Sequence, residues 1–252
     1  MKILLRIAFL GKAYCGYQVQ PNGVTVQQRL NEAAKALFGF DCDIVGCSRT
    51  DSGVHANEFC VTVTRKGENC LETSVPTQKI PQAMSFWLPN DISVLSAEEV
   101  EDGFHPRYDV KYKEYIYQIW NSSSRNPFLA DRSWHCPKKI DEEGFLAMCK
   151  AAKMYEGTYD FSSFMASDSK IKDTVRTVFE AEVTRDGDLI VFRVCADGFL
   201  YNMVRIFVGT LLDVAYKKIK PEEILTIIEA HNRKMAGSTA PPEGLFLNRV
   251  VY

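Results

Sequence analysis

No Cys-x-x-Cys pair, no excess of either charge and no long apolar run occurs in this chain of 252 residues. Thirty Lys plus Arg stand against 32 Asp plus Glu, a net charge of −2, so any anion-binding surface must be a local patch rather than a field of the whole molecule. Eight cysteines are scattered singly and none of the four histidines has zinc-finger spacing, so no structural metal is expected. A chain this long needs no disulfide staples, and reduced thiols in a cytoplasmic protein are the expectation. Arg6 breaks the apolar start Ile3-Leu4-Leu5, so a signal peptide is not expected. The most apolar later stretch, Phe199 to Val214, carries Asn202, Arg205 and Asp213, and no membrane span is expected. Gly-x-Gly-x-x-Gly, the P-loop, Gly-x-Ser-x-Gly and His-Glu-x-x-His are all missing, which removes the usual support for nicotinamide, nucleotide triphosphate, serine hydrolase and zinc protease chemistry.

What is present is material for a sizeable core. With 46% hydrophobic residues the chain is not disordered or low-complexity, and its length suits one large or two small domains. Ile3, Leu5, Ile7 and Phe9 alternate with Lys2, Leu4, Arg6 and Ala8, a strand with one buried face. Thr25 and Gln28 form a capping box ahead of Val26, Leu30, Ala33, Ala34 and Leu37, and Gly39 stops that helix. Strands over Cys42 to Cys47 and Glu58 to Thr64, a helix around Gln78 to Trp87 and a strand from Ile92 to Ser96 complete the order β-α-β-β-α-β.

The second half repeats that order. Tyr112 to Trp120 is a strand with Tyr115, Tyr117 and Ile119 on one face, and Asp141 caps a helix that ends by Gly157. Thr174 to Thr184 and Leu189 to Cys195 flank an Asp186-Gly187 turn. Helices from Phe199 to Ala215 and from Pro221 follow, then a strand from Leu245 to Val251. The expected fold is α+β: two ferredoxin-like, split β-α-β units with antiparallel sheets joined around a central cleft. The expected domains are residues 1–106 and 107–252.

Arg49-Thr50-Asp51-Ser52-Gly53-Val54-His55-Ala56 places a cation, a hydroxyl, a carboxylate and an imidazole between two strands, a common arrangement for a site. A plain turn, with Asp51 capping and Arg49 paired to it at the surface, accounts for the same residues. Asp160 reads as a turn residue ahead of Phe161-Ser162-Ser163-Phe164. Arg205, on an apolar helix, either snorkels to water or forms a buried ion pair. Tyr115 and Tyr117 are packing residues or rings on which a base stacks. Basic clusters at Lys111 and Lys113, Lys138 and Lys139, Lys170 with Lys172 and Arg176, and Lys217 with Lys218 and Lys220 are solvated surface or a phosphate-tracking face.

The Arg49 to Ala56 segment resembles the active-site signature of the tRNA pseudouridine synthase A family. Other ordered blocks resemble it too: Tyr14 to Gln20 with Thr25-Val26-Gln27, Phe104-His105-Pro106-Arg107, Lys113 to Tyr117, Asp160 to Phe164, Gly198 to Arg205 and Ala240 to Leu245. Ser48 stands where the family often has glycine. The resemblance implies isomerisation of uridine to pseudouridine at positions 38, 39 and 40 of the tRNA anticodon stem-loop, without metal or organic cofactor. It implies Asp51 as nucleophile on ribose or base, Arg205 as its counter-charge, and Tyr115 stacked on the uracil. Arg49 would fill the space left by the flipped nucleotide, and His55 and Arg107 would bind substrate. A homodimer is implied, with tRNA as partner. The alternatives from composition alone are a non-catalytic RNA-binding protein of two ferredoxin-like units and a small-molecule glycoside or phosphate enzyme using Asp51.

Overall fold

The structure, a computed structural model, describes residues 1–166 and 171–252, and Lys170 of the basic clusters lies outside them. Its described residues form ten strands and five α-helices of a mixed α+β protein. Two compact units divide the chain: residues 1–111 with 246–252, and residues 112–245.

The first unit runs β1 (Lys2–Phe9), α1 (Val26–Phe38), β2 (Cys42–Gly46), β3 (His55–Arg65), α2 (Ile80–Ser85) and β4 (Ile92–Val100). Antiparallel pairing places β1 between β3 and β4, with Leu5 opposite both Val61 and Ala97, while β2 pairs with β3 from Cys42 opposite Arg65 to Gly46 opposite Val61. Helix α1 begins and ends where its residues dictate: Thr25 accepts from the Gln28 N–H at 3.2 Å, and Gly39 turns left-handed at φ 79°. Its Val26, Leu30, Ala33 and Ala34 are buried. Strand β1 departs from simple alternation, because Leu4 is buried along with Ile3 and Leu5. Lys2 on that same face donates to the Phe104 carbonyl at 3.0 Å, so the chain after β4 covers a face expected to be open.

The second unit runs β5 (Tyr112–Trp120), β6 (Trp134–His135), α3 (Glu142–Lys153), β7 (Gly157–Asp160), β8 (Val175–Asp186), β9 (Leu189–Ala196), α4 (Met203–Ala215) and α5 (Glu223–Glu229), and the chain then returns to the first unit as β10 (Leu245–Val251), parallel to β3 with Phe246 opposite His55. Strand β9 lies between β5 and β8, antiparallel to both, and β7 extends the β8 edge. The core packs Tyr155 flat on Phe207, 3.9 Å between ring centres, with Phe161, Phe164 and Phe192 around them. Asp141 caps α3 through the Gly144 N–H at 2.7 Å. Helix α4 starts four residues later than Phe199, since Asn202 is left-handed at φ 62° and cannot continue a right-handed helix. Residues 237–238 lie directly against α4: Thr210 Oγ1 accepts from the Gly237 N–H at 2.9 Å, and a Cβ on Gly209 would sit 1.7 Å from the Ser238 carbonyl. This contact fixes the helix that carries Arg205. No helix among the described residues is long and apolar enough to cross a membrane.

Candidate active site

Asp51 lies in the connection between β2 and β3, and a second loop, Gly11 to Tyr17, clamps that connection from behind. Gly53 adopts φ 82°, which lets the Val54 N–H return to the Asp51 carbonyl at 3.2 Å and close a turn. Tyr17 N–H donates to the Thr50 carbonyl at 3.3 Å, and Ser52 Oγ donates to the Tyr14 carbonyl at 3.2 Å. Two glycines permit this approach, since a Cβ on Gly16 would lie 2.4 Å from the Thr50 carbonyl oxygen and one on Gly11 would lie 1.9 Å from that of Val54. Asp51 itself is half-buried and Arg49 is exposed. The arrangement holds the backbone on both sides of one carboxylate while leaving that carboxylate reachable.

His55 opens β3 rather than belonging to the loop. Only 1% of it is exposed, its Nδ1 accepts from the Gly11 N–H at 2.9 Å, and its ring stacks on Phe246 at 4.6 Å. It ties the clamp to the strand below. Arg107 is exposed on the segment after β4, with its guanidinium 6.0 Å from the Tyr108 ring centre.

Tyr17 fills the same clamp with its ring, stacked on Phe59 at 4.4 Å. Its hydroxyl is buried with no hydrogen-bond partner among the described residues, and burial pushes its pKa well up. An unsatisfied buried hydroxyl costs about 1–3 kcal/mol. Tyr17→Phe is therefore expected to keep turnover and to raise stability by up to about 1 kcal/mol, read as a higher midpoint in urea. A fall of more than about 1 kcal/mol would show that the hydroxyl is satisfied.

In the second unit Tyr115 is 6% exposed on β5, packed edge-on against Phe199 at 4.9 Å. Tyr117 is fully buried and donates to the Pro241 carbonyl at 2.7 Å, so of the two readings packing is the one that fits it. Arg205 is half-buried. Its Nε donates to the Ala240 carbonyl and its Nη1 to Asn202 Oδ1, both at 2.7 Å, and its own carbonyl accepts from the Ala240 N–H at 3.1 Å. The guanidinium is thus braced by the left-handed turn before α4 and by the strand-like approach to Pro241.

Asp160 is the turn residue its sequence suggests: Oδ1 accepts from the Ser162 N–H at 2.9 Å. Burial alone would raise its carboxyl, but hydrogen bonds from Thr174 and Ser162 outweigh it and hold the group below the usual carboxylate range. Several clustered lysines face carboxylates, Lys139 against Asp188, Lys217 against Glu143 and Lys218 against Asp213. Such exposed pairs are worth about 0–1 kcal/mol, weak enough for a phosphate to replace the carboxylate. In the sequence Gly11 and Gly16 carry no signal beyond being two glycines within six residues of a tyrosine-bearing loop.

The family model described as tRNA pseudouridine synthase matches residues 151–252. A solved chain titled as the crystal structure of a Cbf5-Nop10-Gar1 complex is similar over 97% of this chain and 57% of its own, at 13% identity and a TM-score of 0.36, too slight a likeness to argue from. Three curated relatives are each named tRNA pseudouridine synthase A. That of Thermoanaerobacter sp. (strain X514) is 41% identical over 99% of both chains. That of Caldicellulosiruptor saccharolyticus is 42% identical over the same shares, and that of Bacillus licheniformis is 42% identical over 100% of this chain and 99% of its own. Likeness at this level along the whole length means that the chain belongs to the tRNA pseudouridine synthase A family.

Proposed function

We propose that Asp51 is the nucleophile with which this tRNA pseudouridine synthase isomerises uridine to pseudouridine. The observation that carries the reading is the clamp: Tyr17 on Thr50, Ser52 on Tyr14 and Gly11 on His55 hold one reachable carboxylate in a fixed place.

The reaction breaks the C1′–N1 glycosidic bond, turns the uracil and forms a C1′–C5 bond. The hydrogen leaves C5 as a proton and N1 gains one, so substrate and product have the same atoms. No oxidant, reductant or group donor is consumed. An Asp51 carboxylate adds either to C1′, holding the ribose while the base turns, or to the uracil ring; both need it ionised. By the family resemblance Arg205 supplies the positive charge that favours this form. Its two neutral braces fix the guanidinium at no cost in charge.

The target nucleotide leaves the anticodon stem-loop stack at positions 38, 39 and 40 before reaction, at a cost of a few kcal/mol. Exposed Arg49 enters the vacated space and Tyr115 stacks on the uracil. Arg107 contacts the RNA, and His55 acts on substrate through the loop it holds. The first unit forms the lobe with the nucleophile and the second the lobe with Tyr115 and Arg205. Each is read as a ferredoxin-like unit; the β4-β1-β3-β2 order of the first and the β5-β9-β8 order of the second support this. A cytoplasmic homodimer is the proposed working form, and eight cysteines scattered singly along the sequence fit a reducing compartment.

The test is release of tritium from unmodified tRNA labelled at uridine C5, with no cofactor added. Release equal to the pseudouridine formed is expected. Binding of several tRNAs without release would instead support the non-catalytic RNA-binding reading.

A further inference from the structure

The first unit has a pocket of about 490 Å³ that the chemistry above does not use. Its walls are Tyr14 from the clamp loop and Phe86 and Trp87 from the end of α2, and Arg29 and Glu32 of α1 line it. That volume lies within the range of small-ligand sites, roughly 300–1,000 Å³.

Two features of the walls are unusual for a surface that stays bare. Phe86 is 82% exposed and Trp87 50% exposed, adjacent in sequence and set edge to face at 5.2 Å. Their backbone is fixed, because the Trp87 and Leu88 N–H groups both return to the Met84 carbonyl, at 2.9 and 3.1 Å. Paired exposed rings on a fixed turn mark a contact surface rather than ordinary scatter. The floor is polar yet neutral: Arg29 donates to one Glu32 oxygen at 2.8 Å and Gln28 to the other at 2.9 Å. A phosphate gains little from a cation already neutralised. A base edge, with donors and acceptors side by side, matches the Arg29 and Glu32 groups, and a base face matches the face of one ring.

The pocket is also coupled to the nucleophile. Tyr14 places its ring in the pocket wall with its hydroxyl on Asp91 at 2.6 Å, while its carbonyl accepts from Ser52 Oγ at 3.2 Å. Ser52 follows Asp51 directly. A group bound against Tyr14 is therefore held at a fixed place relative to Asp51.

We infer that this pocket is a second recognition site for the RNA substrate, taking one unpaired nucleobase stacked on one of the Phe86 and Trp87 rings, with the other ring edge-on to it, and read at its edge by Arg29 and Glu32. The inference rests on the reading of the chain as a tRNA-modifying enzyme. A second copy of the chain fits the pocket less well, because the cores of protein interfaces are depleted of charged residues and this floor is an ion pair.

The test compares wild type, Trp87→Phe and the double variant Phe86→Ala/Trp87→Ala on unmodified tRNA, with Kd, KM and kcat measured for each and thermal melting to confirm folding. Loss of a base stack is expected to raise Kd and KM about tenfold or more in the double variant, with kcat within about twofold, and Trp87→Phe is expected to stay within about threefold of wild type. Ultraviolet cross-linking of the wild-type protein to tRNA is expected to yield adducts on the peptide spanning residues 84–89. Unchanged Kd and KM with no adduct there would overturn the inference. So would a double variant that sediments as a monomer where wild type is a dimer, with tRNA affinity intact, since the rings would then serve a second copy. If wild type releases no tritium, the assigned reaction fails, while the binding and cross-linking results still decide the pocket.

Discussion

Asp51→Asn is expected to lower single-turnover tritium release on the order of 10⁴-fold or more, while tRNA binds with a Kd within about threefold of wild type. The substitution keeps shape, turns one acceptor oxygen into a donor NH2 and removes the negative charge and the nucleophilic oxygen. The turn does not depend on that charge, since the Val54 N–H bonds the Asp51 carbonyl, Ser52 Oγ bonds Tyr14 and the Tyr17 N–H bonds Thr50. A cooperative melting transition is the check that the loss of rate is not a loss of fold. Affinity for RNA should not fall, because the loss of an anion from a surface that meets phosphates works in favour of binding. Asp160→Asn is the matched control: that carboxylate closes a turn through Ser162, and turnover is expected within about threefold of wild type. Retention of more than about a tenth of the wild-type rate in Asp51→Asn would remove the nucleophile assignment while leaving family membership untouched.

The parts of the molecule that could be read in advance are those whose signal is local. Helix α1 carries its cap at Thr25, its apolar stripe and its stop at Gly39 within fifteen consecutive residues, and all three act through neighbours in sequence. The β8–β9 hairpin is equally local, with Gly187 at φ 57° in the turn. Strands β6 and β7, of two and four residues, are too short for periodicity to register, and exist because β5 and β8 offer them an edge. The start of α4 was misplaced because Tyr201 and Asn202 fit a helical pattern, and only the backbone at Asn202 shows otherwise. The candidate site divides in the same way. Asp51 and Arg49 could be picked out because charge on a loop is visible in one line of sequence. His55 could not be placed: what makes it a buried tie is Phe246, at the other end of the chain. The packing of Tyr115 and Tyr117 could be read from their shared face of β5, but not the Phe199 and Pro241 contacts that complete it, which come from distant parts of the sequence.

Gly16→Ala tests whether the clamp is what aims the carboxylate. Gly16 sits at φ 77°, where an alanine loses roughly 1–2 kcal/mol, and the new Cβ would lie 2.4 Å from the Thr50 carbonyl oxygen, about 1 Å inside ordinary contact. Both atoms belong to backbone or are bonded directly to it, so no side chain can swing aside, and relieving the overlap adds about 1–3 kcal/mol. A total loss of about 2–5 kcal/mol is expected, each kcal/mol lowering the melting midpoint by about 2–4 °C in a chain of this size. Gly39→Ala isolates the two contributions. Its φ of 79° is nearly identical, but nothing lies within 4 Å of the added Cβ, so only the conformational cost remains, about 1 kcal/mol. Turnover should separate the two variants further. Relief of the Gly16 overlap pushes on Thr50, the residue bonded to Asp51, and a displacement of about 1 Å at a reacting group costs about 10²-fold in rate. Gly16→Ala is therefore expected to lose about 10²-fold in kcat at a temperature where it remains folded, with Gly39→Ala within twofold of wild type. Equal losses of stability and rate in the two would mean that the Gly11 to Tyr17 loop lies beside the Asp51 connection without holding it.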